Sequence, residues 1–232
     1  MTAVSNIILV HGAWADGSCW SKVISLLADR GLRTTAVQLP LTSFDEDVAT
    51  VRRALALEEG PILLVGHSYG GAVITEAGAE PKVSGLIYVA AFAPDAGESA
   101  GSLLASVPSS PLGGELRPDV EGFLKMTRSG MFESFAQDLS DAEKAVLFAV
   151  HAPTHGKSLG GNVSVPAWRK KPSSYMVAAN DKAIPPALQE MMSRRMGAKA
   201  MSVASSHVAM LSHPNEVADL IANAALEMIA PS

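Results

Sequence analysis

Short unbroken apolar runs alternate along the chain with amphipathic stretches of helical spacing, and this rhythm predicts the secondary structure. Ile7, Ile8, Leu9 and Val10 form an apolar run rich in β-branched side chains that stops at Gly12. A run of that length without a polar face reads as a strand buried on both sides, as in a parallel sheet. The stretch around Trp20, Val23, Ile24, Leu26 and Leu27, closed by Gly31, reads as a helix with a glycine stop. Strands are then predicted over 34–39, 62–65 and 85–91, with helices over 45–57 and about 71–79 between them. Such alternation implies a parallel sheet covered by helices on both faces.

After Phe92 the rhythm breaks. Residues 94–172 read as an inserted lid between two parts of one core, 1–93 and 173–232. The first part of the insertion, 94–118, holds Gly97, Gly101, Pro108, Pro111, Gly113, Gly114 and Pro118, which predicts a loop without regular structure. Helical spacing returns around Phe123, Leu124, Met126 and Thr127, and again over 142–150. Alternation resumes with a strand over 175–179, a helix over 186–196, a strand over 200–203 and a closing helix over 216–229. The expected fold class is α/β: a mostly parallel sheet of about six strands with an inserted helical lid.

Composition narrows the function classes. Of the 232 residues 48% are hydrophobic and 18% charged, enough for a sizeable core in a single domain. The net charge of −5 offers no basic footprint for nucleic acid. The longest apolar stretch, 85–93, falls short of the roughly 18 residues that cross a bilayer. No Lys or Arg precedes Lys22, so no signal peptide is expected, and the single Cys19 points to a reducing cytoplasm.

The candidate chemistry sits where a predicted strand turns into a predicted helix, at Gly66-His67-Ser68-Tyr69-Gly70. A serine lifted out on a sharp turn needs small neighbours two residues to either side, which Gly66 and Gly70 provide. Such a turn sets the Ser68 hydroxyl beyond the carboxyl end of the sheet and the Tyr69 N–H at a helix start, where it can meet a developing oxyanion. Serine needs a base, and the base an orienting acid. His207 follows the predicted strand 200–203 and is the candidate base; His213, before Pro214, is the alternative. Asp181 lies 26 residues before His207, a spacing of about one helix, one strand and two turns that brings both to one sheet edge. Asp95 and Asp138 are alternative acids. In the loop after the first strand, the Ala13 N–H is the second candidate oxyanion donor, with His11 read as a side chain that fixes that loop.

Taken together, His11-Gly12-Ala13-Trp14, Gly66-His67-Ser68-Tyr69-Gly70-Gly71, Asp181 before Ile184-Pro185-Pro186, and Ser206 to Pro214 resemble the α/β-hydrolase superfamily. Within it they are similar to the small-lid branch of plant methylesterases, hydroxynitrile lyases and related bacterial carboxylesterases. The resemblance implies a serine esterase with Ser68 as nucleophile, His207 as base, Asp181 as acid, and Ala13 and Tyr69 as oxyanion hole. Lyases of that branch carry a lysine after the catalytic histidine and a threonine after the histidine of the first loop. Val208 and Gly12 stand there in this chain, which favours ester hydrolysis. A lyase or perhydrolase on the same scaffold, or a ligand sensor without turnover, are the alternatives.

For the substrate, the insertion offers Phe123, Met126, Phe132 and Phe135, which with Gly12 and Val208 are the candidate pocket residues for a small-molecule ester. Arg128, Lys157, Arg169, Lys170 and Lys171 read as solvated lid charges. The expected chemistry requires neither a metal nor an organic cofactor, and pairing into a homodimer is left open.

Overall fold

In the computed structural model, which describes residues 6–227, β1 (Asn6–Val10) leads through α1 (Ser21–Ala28) to β2 (Arg33–Ala36). The chain continues through α2 (Phe44–Leu57), β3 (Ile62–His67), α3 (Tyr69–Ala77) and β4 (Val83–Val89). It then leaves the sheet for α4 (Ala100–Ala105), β5 (Leu116–Pro118), β6 (Phe123–Met126), α5 (Asp141–Val150), β7 (Thr154–His155) and α6 (Gly156–Gly160). The return is through β8 (Ser173–Ala178), α7 (Pro186–Arg195), β9 (Lys199–Val203), α8 (Ala209–Ser212) and α9 (Pro214–Glu227). The predicted end of the last helix, at 229, lies outside the described residues. Among those residues no helix is long and apolar enough to cross a membrane.

Six strands form one parallel sheet in the order β2-β1-β3-β4-β8-β9. Right-handed crossovers put α1 over one face and α2, α3 and α7 over the other, and α9, which follows the last strand, lies beside α1. In agreement, α2 packs on α3. The apolar runs of β1 and β3 are buried throughout, which explains why neither shows a polar face in the sequence. From β1 the chain moves outward to β2 and then doubles back past β1 to β3, so the loops after β1 and β3 diverge. The crevice between them, at the carboxyl ends of the strands, is where open α/β sheets bind ligands.

Three predicted elements differ. The strand expected over 34–39 loses its regular pairing after Ala36: Val37 N–H still reaches Leu9 O at 3.0 Å, but Leu39 N–H goes to His11 Nε2 at 2.9 Å. The helix expected around Phe123 to Thr127 is instead β6, which pairs with β5 and β7 in a small antiparallel sheet. Asp119 Oδ1 accepts the N–H groups of Glu121 and Phe123, both at 2.9 Å, and Gly122 turns at φ 91, closing a hairpin that the spacing of Phe123, Leu124, Met126 and Thr127 could not distinguish from one helical turn. The stretch 94–118, expected to lack regular structure, contains α4. Ser99 and Ser102 exchange side-chain and backbone hydrogen bonds at its start and offset the cost of Gly101.

Leu64, fully buried in β3, and Leu57, 86% exposed at the end of α2, test this layering. Leu64→Ala is expected to cost about 2–5 kcal/mol of unfolding free energy. Leu57→Ala should stay within about 0.5 kcal/mol of wild type in the same urea titrations.

Candidate active site

At the end of β3 the backbone of Ser68 adopts φ 54 and ψ −124, a left-handed conformation that costs a non-glycine residue about 1–3 kcal/mol. The turn persists because its surroundings over-determine it. Ser68 N–H donates to Val89 O at 3.3 Å, and Ser68 O accepts from Gly71 and Phe92 N–H, both at 3.0 Å. A methyl group on Gly66 would lie 2.7 Å from Gly70 O, and one on Gly70 would lie 2.6 Å from Val10 O. Gly12 serves the same end from the opposite loop, where a methyl group would stand 2.6 Å from Ser68 Cβ.

The loops after β8 and β9 are tied together by Ala179 N–H to Val203 O at 2.8 Å and Asn180 N–H to Ser205 O at 3.0 Å. Asp181 and His207 thereby meet, with Nδ1 of the imidazole 2.7 Å from Oδ2 of the carboxylate and both side chains buried. The carboxylate is fixed on every side. Oδ1 accepts the Ala183 and Ile184 N–H groups at 2.7 and 3.0 Å, and Oδ2 also accepts from Gln189 Nε2 at 2.8 Å. Because Nδ1 donates to Asp181, Nε2 carries the lone pair of the neutral imidazole. Ser68 and His207 line one cavity, although no hydrogen bond joins them in this structure.

His207 is held from two further directions. His67 Nε2 donates to His207 O at 2.9 Å with the rings 4.7 Å apart, and Ser206 N–H donates to Asp138 Oδ2 at 2.7 Å. Asp138 therefore anchors the loop that carries His207 and does not touch the imidazole nitrogen. Asp95 pairs with Arg169, whose Nε lies 2.9 Å from Oδ1, and that guanidinium holds the carboxyl below its ordinary value. Arg169 is thus engaged rather than simply solvated, and Arg128 lies over the Phe132 ring at 3.7 Å. His213 bonds to Ser212 Oγ at 2.9 Å and does not line the cavity. His11 braces the first loop: Nδ1–H donates to Gly12 O at 2.8 Å while Nε2 accepts Leu39 N–H. Burial pushes the imidazoles of His11 and His67 below their ordinary range, and both are neutral.

The N–H groups of Ala13 and Tyr69 donate to no acceptor among the described residues, and both residues line the cavity beside Ser68. The cavity itself is narrow, about 60 Å³, and its walls are Trp14, Phe92, Leu104, Leu112, Leu159 and Ile184 among others, with no Lys, Arg, Asp or Glu. None of the six candidate pocket residues lines it. Phe123 packs edge-on against His155 in the small sheet, Met126 is buried, and Phe132 lies under Arg128. Phe135 packs against the His207 ring at 4.9 Å, supporting it from behind. Val208 is buried at the start of α8, and Gly12 contributes room below Ser68. For Phe123 and Met126 the reason is the strand at β6, which turns those side chains away from the direction a helix would give them. The walls come instead from the glycine- and proline-bearing stretch, through Leu104, Leu112 and Gly113.

Sequence reasoning missed His67, Gln189 and Asp47. His67 adjoins the serine, and Gln189 lies eight residues after Asp181, inside α7. Among the described residues no group of three or more His, Cys, Asp or Glu side chains is placed to hold a metal.

A strained serine between a parallel strand and a helix, facing a buried histidine and carboxylate, is the arrangement of the α/β hydrolases, and this chain belongs to that family. The profile described as "Alpha/beta hydrolase family" matches residues 7–220. A pyrethroid hydrolase of Sphingobium wenxiniae is 28% identical over 95% of this chain and 87% of its own length. Methylesterase 8 of Arabidopsis thaliana is 27% identical over 81% of this chain and 76% of its own. The crystal structure of a pyrethroid hydrolase from Sphingobium faniae superposes with a TM-score of 0.82 at 28% identity, covering 96% of this chain and 97% of that one.

The buried neutral histidines give a stability prediction. In the unfolded chain both titrate near the ordinary value of 6.5, whereas in the folded protein burial lowers them. Below pH 6.5 the unfolded state therefore binds more protons, and stability falls as pH falls. His67→Gln keeps an amide donor for His207 O and removes one such group. Its stability should decline less steeply than wild type between pH 7 and 5, by up to about 1.4 kcal/mol per pH unit, in urea unfolding at each pH.

Proposed function

We propose that the chain is a serine hydrolase of neutral carboxylic esters that works through an acyl-enzyme on Ser68. One observation supports this above others: Ser68, His207 backed by Asp181, and the residues of two N–H groups unpartnered among the described residues, Ala13 and Tyr69, border one apolar cavity. In this reading His207 Nε2 takes the proton as Ser68 Oγ attacks the ester carbonyl carbon. Ala13 and Tyr69 N–H receive the charge that develops on the carbonyl oxygen. Asp181 keeps the imidazole in the tautomer with a free Nε2 and stabilises the imidazolium. His207 then returns its proton to the leaving alcohol, and a water molecule, deprotonated by the same imidazole, repeats the cycle on the acyl-enzyme.

Walls without a charged side chain select a neutral, hydrophobic substrate, since a bare carboxylate there would be desolvated without a partner. Relatives named as a pyrethroid hydrolase and a methylesterase fit that class. We read residues 94–172 as the lid: Leu104, Leu112 and Leu159 close a space too small for such an ester, so this segment must part on binding. Cyanohydrin cleavage is not favoured, because buried Val208 offers no cation for a departing cyanide. The lone buried Cys19 supports a cytoplasmic location.

Ser68→Ala is expected to lower kcat on short nitrophenyl esters by a factor on the order of 10⁴ or more, with the circular dichroism spectrum unchanged. A fluorophosphonate should label wild type in 1:1 stoichiometry and leave the variant unlabelled. Absence of turnover and of labelling in wild type would refute the reading.

A further inference from the structure

Two hydrogen-bonded arms lead from β7, within the inserted segment, to the two proposed oxyanion donors. On the first arm Thr154 Oγ1 accepts the Trp14 N–H at 3.1 Å, one residue beyond Ala13. Trp14 is held at φ 55, and its indole Nε1–H donates to Leu124 O of β6 at 2.8 Å. The loop that carries Ala13 is thus fastened to the small antiparallel sheet at both the backbone and the ring of its next residue.

The second arm starts at the next position of β7. His155 N–H donates to Leu41 O at 2.8 Å, and Leu41 N–H donates to Asp47 Oδ1 at 2.8 Å. Asp47 Oδ2 then accepts the Tyr69 hydroxyl at 2.6 Å. Thr154, Leu41, Asp47 and Tyr69 are all fully buried, and Leu41, like Trp14, sits at a positive φ of 57. A buried carboxylate met only by neutral donors is a costly element, and desolvation raises its pKa. Its position accounts for the cost: it joins the strained loop before α2 to the side chain of the residue that directly follows the nucleophile.

We propose that the inserted segment sets the oxyanion hole, with Thr154 and Asp47 as positioning residues that fix Ala13 N–H and Tyr69 N–H relative to each other. Thr154 acts through Trp14, and Asp47 through the Tyr69 ring, with Leu41 linking it back to β7. The inference rests on the reading of Ser68 as nucleophile. Donors aimed at a developing oxyanion act in the transition state, so loosening them lowers kcat and leaves ground-state binding nearly untouched.

The test compares wild type with Thr154→Val, which removes the acceptor, and Thr154→Ser, which keeps it. Steady-state kinetics on a nitrophenyl butyrate are paired with two inhibitors. An alkyl trifluoromethyl ketone accepts Ser68 Oγ at its carbonyl carbon, the hydroxyl proton passing to His207 and the carbonyl oxygen becoming the anion in the hole. The matching methyl ketone only binds. Thr154→Val is expected to lose about tenfold or more in kcat and in trifluoromethyl ketone affinity, while KM and methyl ketone affinity stay within about twofold. Thr154→Ser should stay within about threefold of wild type in all four quantities. If Thr154→Val does not fold, Tyr69→Phe, which cuts the second arm, is expected to show the same split. Equal losses for both ketones, or a serine variant no better than the valine one, would overturn the inference. A wild type that forms the adduct and a Thr154→Val that matches it would overturn the inference alone, whereas a wild type that forms no adduct would overturn the hydrolase reading with it.

Discussion

The site depends on one backbone conformation, that of Ser68. Its positive φ is unfavourable, yet the contacts of Ser68 with Val89, Gly71 and Phe92 leave it no alternative. Those contacts exist only because Gly66, Gly70 and Gly12 let three backbone segments approach more closely than any side chain would permit. The consequence is a hydroxyl that points out of the sheet at the position where chain direction reverses, with the helix start of α3 behind it. Everything chemical in the crevice is arranged around that fixed point.

Polar groups below the crevice are numerous, buried and almost fully engaged. Asp181 uses both carboxylate oxygens, His11 uses both ring nitrogens, and Gln189 links β8 to the Asp181 loop through Ala178 N–H, Asp181 Oδ2 and Ile184 O. His67 Nδ1, Trp20 Nε1 and Ser205 Oγ are exceptions, each unpartnered among the described residues. Desolvation keeps both His11 and His67 uncharged, so neither adds a positive charge beside the His207 ring. A dry interior of this kind makes each hydrogen bond stronger and each broken one more costly.

Much of this was legible in the sequence, and the parts that were not share a cause. The apolar runs of β1 and β3 and the turn residues around Ser68 carry local information that no other context can supply, so strand, turn and helix could be read directly. The pair Asp181 and His207 followed from counting the chain needed for one helix and one strand. The pocket walls did not follow, because a four-residue stretch such as 123–126, with three apolar positions, satisfies either periodicity, and the turn at Asp119 and Gly122 decides between them through hydrogen bonds that a pattern does not display. Asp47 was equally hidden. In the sequence it is one of three acidic residues in the first turn of α2, a common way to favour a helix start, and only the fold turns it inward onto Tyr69.

The division of labour between strand ends and insertion has an evolutionary side. In the proposed reading proton transfer and nucleophilic attack fall to strand-end loops, whereas Leu104, Leu112, Gly113, Leu116 and Leu159 in the cavity wall all belong to the one stretch between β4 and β8. A lineage can therefore exchange what it hydrolyses by rewriting one contiguous segment, provided the two anchor positions on β7 survive, and leave the bond-breaking apparatus inherited intact.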